Sequence, residues 1–268
     1  MYASVCRYGY VRYLRRGADI MAIIQALMGS YRKPSGDANW NDVMLLMAGS
    51  SSTADQSSRG NDPDSIVGTV NVTSTTGPYG TTQDVLDFTS TSDKRILFPV
   101  VDDLRIPAYG TGVAWTLETW FKTSDTGSIQ RMFGIGNNVG NWDGQSGGEL
   151  ELSVLANGKA DIRIVGTNGI TSTTLVDDNN WHHVAVVYTG SALRLYVDGT
   201  REGDIRTFVI YPNSNGTTQI RLGDGYLPSQ QGWYDYQGYM ADFRITKGVK
   251  RYTGPSFTPN TSPFPQSS

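Results

Sequence analysis

Residues 181–199 read Trp181-His182-His183-Val184-Ala185-Val186-Val187-Tyr188, then Thr189-Gly190-Ser191-Ala192, then Leu193-Arg194-Leu195-Tyr196-Val197-Asp198-Gly199. Apolar residues recur at every second position on either side of a short polar break, which is the period of a β-strand. Asp198-Gly199 supplies the positive φ that a tight hairpin turn requires. The same alternation continues outward along the chain. Ala114–Lys122 sets Trp115, Leu117, Thr119 and Phe121 against Ala114, Thr116, Glu118 and Trp120. Both faces carry large groups, as expected of a strand covered on one side and touched by loops on the other. Glu149–Leu155 places Leu150, Leu152 and Val154 on one face, and Lys159–Val165 does so with Ile162 and Ile164. Gln219–Leu222 and Tyr239–Ile245 add two more runs. Asn157-Gly158, Asn168-Gly169 and Asn215-Gly216 mark further turns between runs. Short strands at this spacing, with almost no helical period, predict antiparallel sheets stacked face to face.

The composition agrees. Glycine supplies 31 of 268 residues, about 12% against the usual ~7%. Charged residues make up only 18%, which excludes a coiled coil, and no glycine falls in a strict three-residue period, which excludes a collagen. Fifteen Tyr, eight Phe and six Trp give ample bulk for a core and argue against a disordered chain. Cys6 is the one cysteine, so no internal disulfide framework is possible. The net charge of −3 conceals an asymmetry. Residues 1–36 hold six basic residues against Asp19 alone, a net of +5, leaving −8 for the remainder. A basic arm on an acidic body suits nucleic acid, an anionic membrane or an acidic neighbouring subunit. With no readable nucleic-acid motif in the arm, the subunit is favoured. Ile20–Met28 is the longest apolar stretch, roughly half of the ~20 residues that a bilayer span needs. It is preceded by Arg15-Arg16 but interrupted by Gln25, and it carries no clean cleavage site, which disfavours export. Arg15, Arg16, Ile20, Ile23, Ile24 and Leu27 are therefore expected to anchor the arm on a partner. Met21 also opens a plausible shorter chain.

Trp181–Tyr188 with Leu193–Gly199 resembles the W-H-H-V-A…L-Y-V-D-G hairpin of the laminin G-like, concanavalin A-like family. Leu86-Asp87-Phe88 resembles its early F-D-G strand, with Leu86 and Thr89 replacing the usual residues. Trp115–Phe121 is similar to its F-T-I-E-F-W strand. Gly238–Tyr252, followed by Phe257-Thr258-Pro259 and Pro263-Phe264-Pro265, resembles the closing strand and tail in the version found in tailed-phage virion proteins. The resemblance covers roughly residues 38–265, with Asn41–Met47 as the opening strand. It implies an all-β, concanavalin A-like antiparallel β-sandwich jelly roll over residues 38–268, preceded by an N-terminal arm over residues 1–37. Pro255, Pro259, Pro263 and Pro265 make the tail an extended strap, with Phe257 and Phe264 pinning it to the body.

Family members bind glycans or proteins, sometimes through calcium, and in virions decorate capsids, tails or fibres. The resemblance thus implies a non-catalytic virion structural protein on the exposed surface of a phage particle. It would be present in many copies, bound to other virion subunits through the arm, and able to display its lectin-like domain to host-surface glycans. The alternatives are a secreted bacterial glycan-binding protein and, behind it, a glycoside hydrolase. Trp142, Asp143, Tyr226, Trp233, Tyr234 and Tyr236 form the expected glycan surface, because sugar C–H faces stack on aromatic rings while polar groups take the hydroxyls. Packing or subunit contact explains these aromatics equally well. No cofactor is required, and calcium, a hard cation that takes oxygen ligands, is the one candidate, at Asn138, Asp143 and Asp224. Ordinary turns account for the same residues.

Glu149 and Glu151 share a strand face, but the third acid and intervening aspartate of related glycosidases are missing, so a solvated face is expected. His182 and His183 point to opposite faces and cannot chelate one ion easily. One buried and one surface histidine are expected.

Overall fold

Among the residues described by the computed structural model, 36–48, 52–89, 93–107, 110–137, 150–164, 167–206, 218–224 and 234–268, fifteen strands form two antiparallel sheets. Numbered in chain order, the first sheet runs β13 (Thr200–Ile205), β12 (Leu193–Val197), β11 (His182–Tyr188), β6 (Trp115–Lys122), β15 (Tyr239–Lys247), β4 (Thr82–Asp87) and β3 (Asn71–Thr76). An eighth strand, β1 (Val43–Met47), also pairs with β15. The second sheet runs β10 (Thr167–Leu175), β9 (Lys159–Ile164), β8 (Leu150–Val154), β7 (Gln130–Asn137), β14 (Thr218–Leu222), β5 (Arg95–Leu97) and β2 (Ser65–Val67). Asp37–Ser268 cluster as one compact unit.

The alternation visible in the sequence becomes the core. Trp115, Leu117 and Phe121 of β6, Val184, Val186 and Tyr188 of β11, and Leu195 and Val197 of β12 face Phe133, Leu150, Leu152, Ile162 and Ile220 of the second sheet. Phe133 and Phe243 meet across the sandwich at a ring separation of 5.7 Å. Each such side chain contributes roughly 1.5–3 kcal/mol when fully withdrawn from water.

The opposite face of the first sheet is buried as well. Residues 252–264 lie across it: the Tyr252 and Phe257 rings stack in parallel at 3.5 Å, and Phe257 packs edge-on against His183 and Tyr196. Phe264 joins a second cluster with Val43, Leu46 and Ala48. The Pro-rich tail is thus the strap expected, pinned by the two phenylalanines.

Two local expectations need correction. Asn168-Gly169 is not a turn but part of β10, where the register shifts between Thr167 and Ile170. A Cβ on Gly169 would sit 2.4 Å from the Ile162 carbonyl oxygen, so the glycine is there for a close strand approach. His182 is not a surface histidine: it is only 8% exposed, and His183 is fully buried. Asn215-Gly216 lies outside the described residues.

One irregularity shapes the sheet. Asp242 interrupts β15 with φ +53°, and the ladder to β6 shifts register between Ala241 and Arg244. The bulge lets β15 pair with β4 at its start and with β1 toward its end.

Candidate functional site

Three aromatic side chains meet on the outer face of the first sheet, where five separate segments converge. Trp120 points outward from β6, because its neighbours Thr119 and Phe121 point inward and strand side chains alternate. Trp181 stands immediately before β11. Pro78 and Tyr79 form the tip of the β3–β4 hairpin, Asp198 occupies the β12–β13 turn, and Thr258–Thr261 come from the strap. Together they line an open groove of about 580 Å³. Asp198 and Gly199 both have positive φ, 49° and 77°, as this tight turn demands.

Hydrogen bonds orient each ring. The Trp120 indole N–H donates to Asn260 Oδ1 at 3.0 Å, and the Trp181 indole N–H donates to the Thr76 carbonyl at 3.0 Å. The Tyr79 hydroxyl donates to buried Asp242 and accepts from the Asn260 amide, which also donates to Ser262 O at 2.7 Å. Tyr79 and Trp120 pack edge to face, with ring centres 5.9 Å apart. Asp198 is half-exposed; its Oδ1 accepts the His183 backbone N–H at 2.9 Å, and its Oδ2 lies 2.8 Å from His182 Nδ1. The other nitrogen of His182 is 3.0 Å from Asp178 Oδ1. Burial alone would depress the His182 pKa, but hydrogen bonds and charge from Asp198 and Asp178 outweigh it and raise the value.

Beneath the strap lies a buried ion network. Glu118 accepts from Arg244 (2.7 Å) and from the Tyr252 hydroxyl (2.6 Å), while Asp37 takes Arg244 (2.8 Å) and Arg251 (2.7 Å). This network joins the start of the described domain to its closing strand. Glu118, Asp37 and Arg244 are all buried, and the network is read as structural.

The sequence-derived candidates fare unevenly. Tyr236 is fully buried, and its hydroxyl donates toward the Lys122 and Tyr239 carbonyls, both 2.9 Å away. It is a core residue and presents no ring to a ligand. Tyr234 is half-buried under the Arg131 guanidinium, 4.5 Å from its ring centre. Asp224 is 3% exposed and 3.6 Å from Arg95, in a setting also shared with Arg131 and Arg221. Burial, then the charge of Asp235, pushes its pKa up to about 6 against those arginines. A carboxylate among guanidinium groups does not fit a calcium site. Among the described residues, no group of three His, Cys, Asp or Glu side chains is placed to hold a metal. Glu151 is not solvated: it is 5% exposed, pairs with Arg131 Nε at 2.9 Å and accepts from Ser153 at 2.8 Å. Trp142, Asp143, Asn138, Glu149, Tyr226 and Trp233 lie outside the described residues, as do the arm residues Arg15, Arg16, Ile20, Ile23, Ile24 and Leu27.

The groove residues were missed as a site. Trp120 had a readable signal: a large aromatic on the strand face opposite the core. Nothing in the linear order brings Tyr79 or Asn260 beside it, because they lie 41 positions before and 140 after it.

The two-sheet sandwich and its strand order define a lectin-type jelly roll. A family model described as the concanavalin A-like lectin/glucanases superfamily, of laminin G type, matches residues 100–250. The chain belongs to that superfamily. Comparison with curated proteins finds no match. Among solved structures, domain 4 of AbnA, a GH43 extracellular arabinanase from Geobacillus stearothermophilus, in complex with arabinotriose, is similar at 12% identity and a TM-score of 0.56. The match covers 78% of this chain and 94% of that one. The binding domain of botulinum neurotoxin serotype D is similar at 14% identity and a TM-score of 0.52, over 80% of this chain and 50% of that one. At such identities these likenesses show the fold alone.

Proposed function

We propose that this chain is a non-catalytic structural protein of a tailed-phage virion, decorating capsid, tail or fibre, whose sandwich binds a host-surface glycan in the Trp120–Trp181 groove. The observation that carries the binding half is the groove itself. Indole and phenol faces stack on the C–H faces of a pyranose, while Asp198, Asn260 and the threonines of the strap offer partners for hydroxyls. Glycoside hydrolysis takes two carboxyl groups across the scissile bond, and among the described residues the groove is lined by one, Asp198. Glu151, on the other sheet, is held by Arg131. The virion half rests on the tail pattern of residues 238–265 and on the basic arm, which suits an acidic neighbouring subunit. Weak individual sites then sum through copy number.

The test is a glycan array probed with the full chain and with Trp120→Ala and Trp181→Ala, with and without calcium. Each substitution is expected to weaken binding about tenfold or more, with no effect of calcium. Binding that survives both substitutions overturns the assignment of the groove. Cryo-electron microscopy of particles from the source tests the other half, since purified particles lacking the chain would leave a free glycan-binding protein.

A further inference from the structure

Resting on the glycan reading of the groove, we infer that the site selects sugars carrying a protonated amino group, as glucosamine does, and disfavours uronic and sialic acids. Of the nine described residues that line the groove, Asp198 is the charged one. A carboxylate accommodates about four hydrogen bonds, and Asp198 uses two, to the His183 N–H and to His182. Its side chain is 43% exposed, so the remaining acceptor positions can meet a ligand. His182 does not cancel this charge, because its ring is shared between Asp198 and Asp178. With the ring protonated, the three groups together still carry a net negative charge. The three aromatic faces add the negative face of a π system, which attracts cations. The Tyr79 hydroxyl points its proton at Asp242, away from any ligand oxygen. Lys122 shares the outward strand face of Trp120 but does not line the groove. An ammonium group seated over one indole face can therefore donate to Asp198 while its pyranose ring stacks on a neighbouring aromatic face. An anionic sugar meets the same carboxylate with no basic partner among the described groove residues.

Titration calorimetry of the full chain against three tetrasaccharides decides the matter: a β-1,4-glucosamine oligomer, its N-acetylated form and a galacturonate oligomer. The pH is set so that the amines are protonated. The free-amine oligomer is expected to bind about tenfold tighter than the acetylated one, with galacturonate weakest. Asp198→Asn should erase that preference and Trp181→Ala should weaken both ligands. Asp102→Asn, at a remote and 90% exposed side chain, should change neither and so controls for the general acidity of the body. Thr258→Lys, on the exposed strap beside the groove, should lower the preference for the amine and raise galacturonate binding while keeping the Asp198 carboxylate itself. Equal or tighter binding of the acetylated oligomer, with Trp181 still required, overturns the amine selectivity and leaves glycan binding intact. No binding of any of the three overturns both.

Discussion

Glu118 carries its charge with no exposed surface at all. Burial pushes its pKa up, but Arg244, His183 and Arg251 together hold it well below the usual carboxylate range. Removing one partner of such a network strands the other charges in a dry setting. Glu118→Gln, nearly the same shape, is expected to cost about 3–5 kcal/mol, read from urea unfolding. Asp224 shows the opposite case. Its folded pKa of about 6 lies above the ordinary 3.8, so the fold prefers its protonated form. The stability linked to this group is fully present below about pH 4 and falls away as pH rises through 6. Asp224→Asn should therefore stabilise the protein at pH 7 by about 1–3 kcal/mol, with the gain vanishing below about pH 4. A thermal melt of both proteins across that range checks it, and an unchanged difference at all pH values would sink the argument. Neither behaviour was legible in sequence, where Glu118 was one polar member of an alternating run and Asp224 a loop acid.

At the scale of elements, periodicity exposed the strands that bury one face and hid those that bury neither. Runs such as Trp115–Lys122 and His182–Tyr188 alternate because one face meets the core. The strands β3 (Asn71–Thr76) and β13 (Thr200–Ile205) lie at the sheet edges with largely exposed or half-buried residues, and they carry no apolar alternation. In β7, Gly134 and Gly136 blank alternate positions and Met132 adjoins Phe133 where the register shifts, so the run shows no clean alternation. The β12–β13 turn offers a direct test of the element it joins. Gly199 has φ +77°, and a Cβ there would lie 2.0 Å from the Phe257 carbonyl oxygen. Gly199→Ala is expected to cost at least about 1–2 kcal/mol and to loosen the strap, both visible in chemical denaturation. Phe257→Ala removes the stack on Tyr252 and the edge contacts to His183 and Tyr196. Because Phe257 is only half-buried, the loss should fall below the ~3–5 kcal/mol of a core Phe→Ala change, and weaker glycan binding should accompany it, since Thr258–Thr261 follow directly in the groove wall.

For the whole molecule, the start of the described sandwich has a chemical marker. Asp37 donates its backbone N–H to the Ser267 carbonyl at 2.8 Å and its carboxylate holds Arg244 and Arg251. Deleting residues 1–36 keeps this contact and should leave a soluble, folded domain, and on the proposed virion role that domain no longer enters particles. Normal incorporation of the truncated chain would disprove the anchoring role of the arm. Removing Asp37 as well should destabilise the domain, because two arginines then lose a buried partner.

The sandwich, its core strands and the strap were determined by the sequence itself, because alternation, turn dipeptides and prolines act through near neighbours. The strap was readable even in its pins, Phe257 and Phe264, since an apolar ring in a polar tail has to dock somewhere. The groove was decided only by tertiary structure. Tyr79, Trp120, Trp181, Asp198 and Asn260 belong to five segments, and what places them together is the order of strands in a sheet, which no local period encodes. The burial of Tyr236 and Glu151 belongs to the same class. An aromatic in a polar loop and an acid on an outward strand face look like surface groups until the backbone folded over them is known.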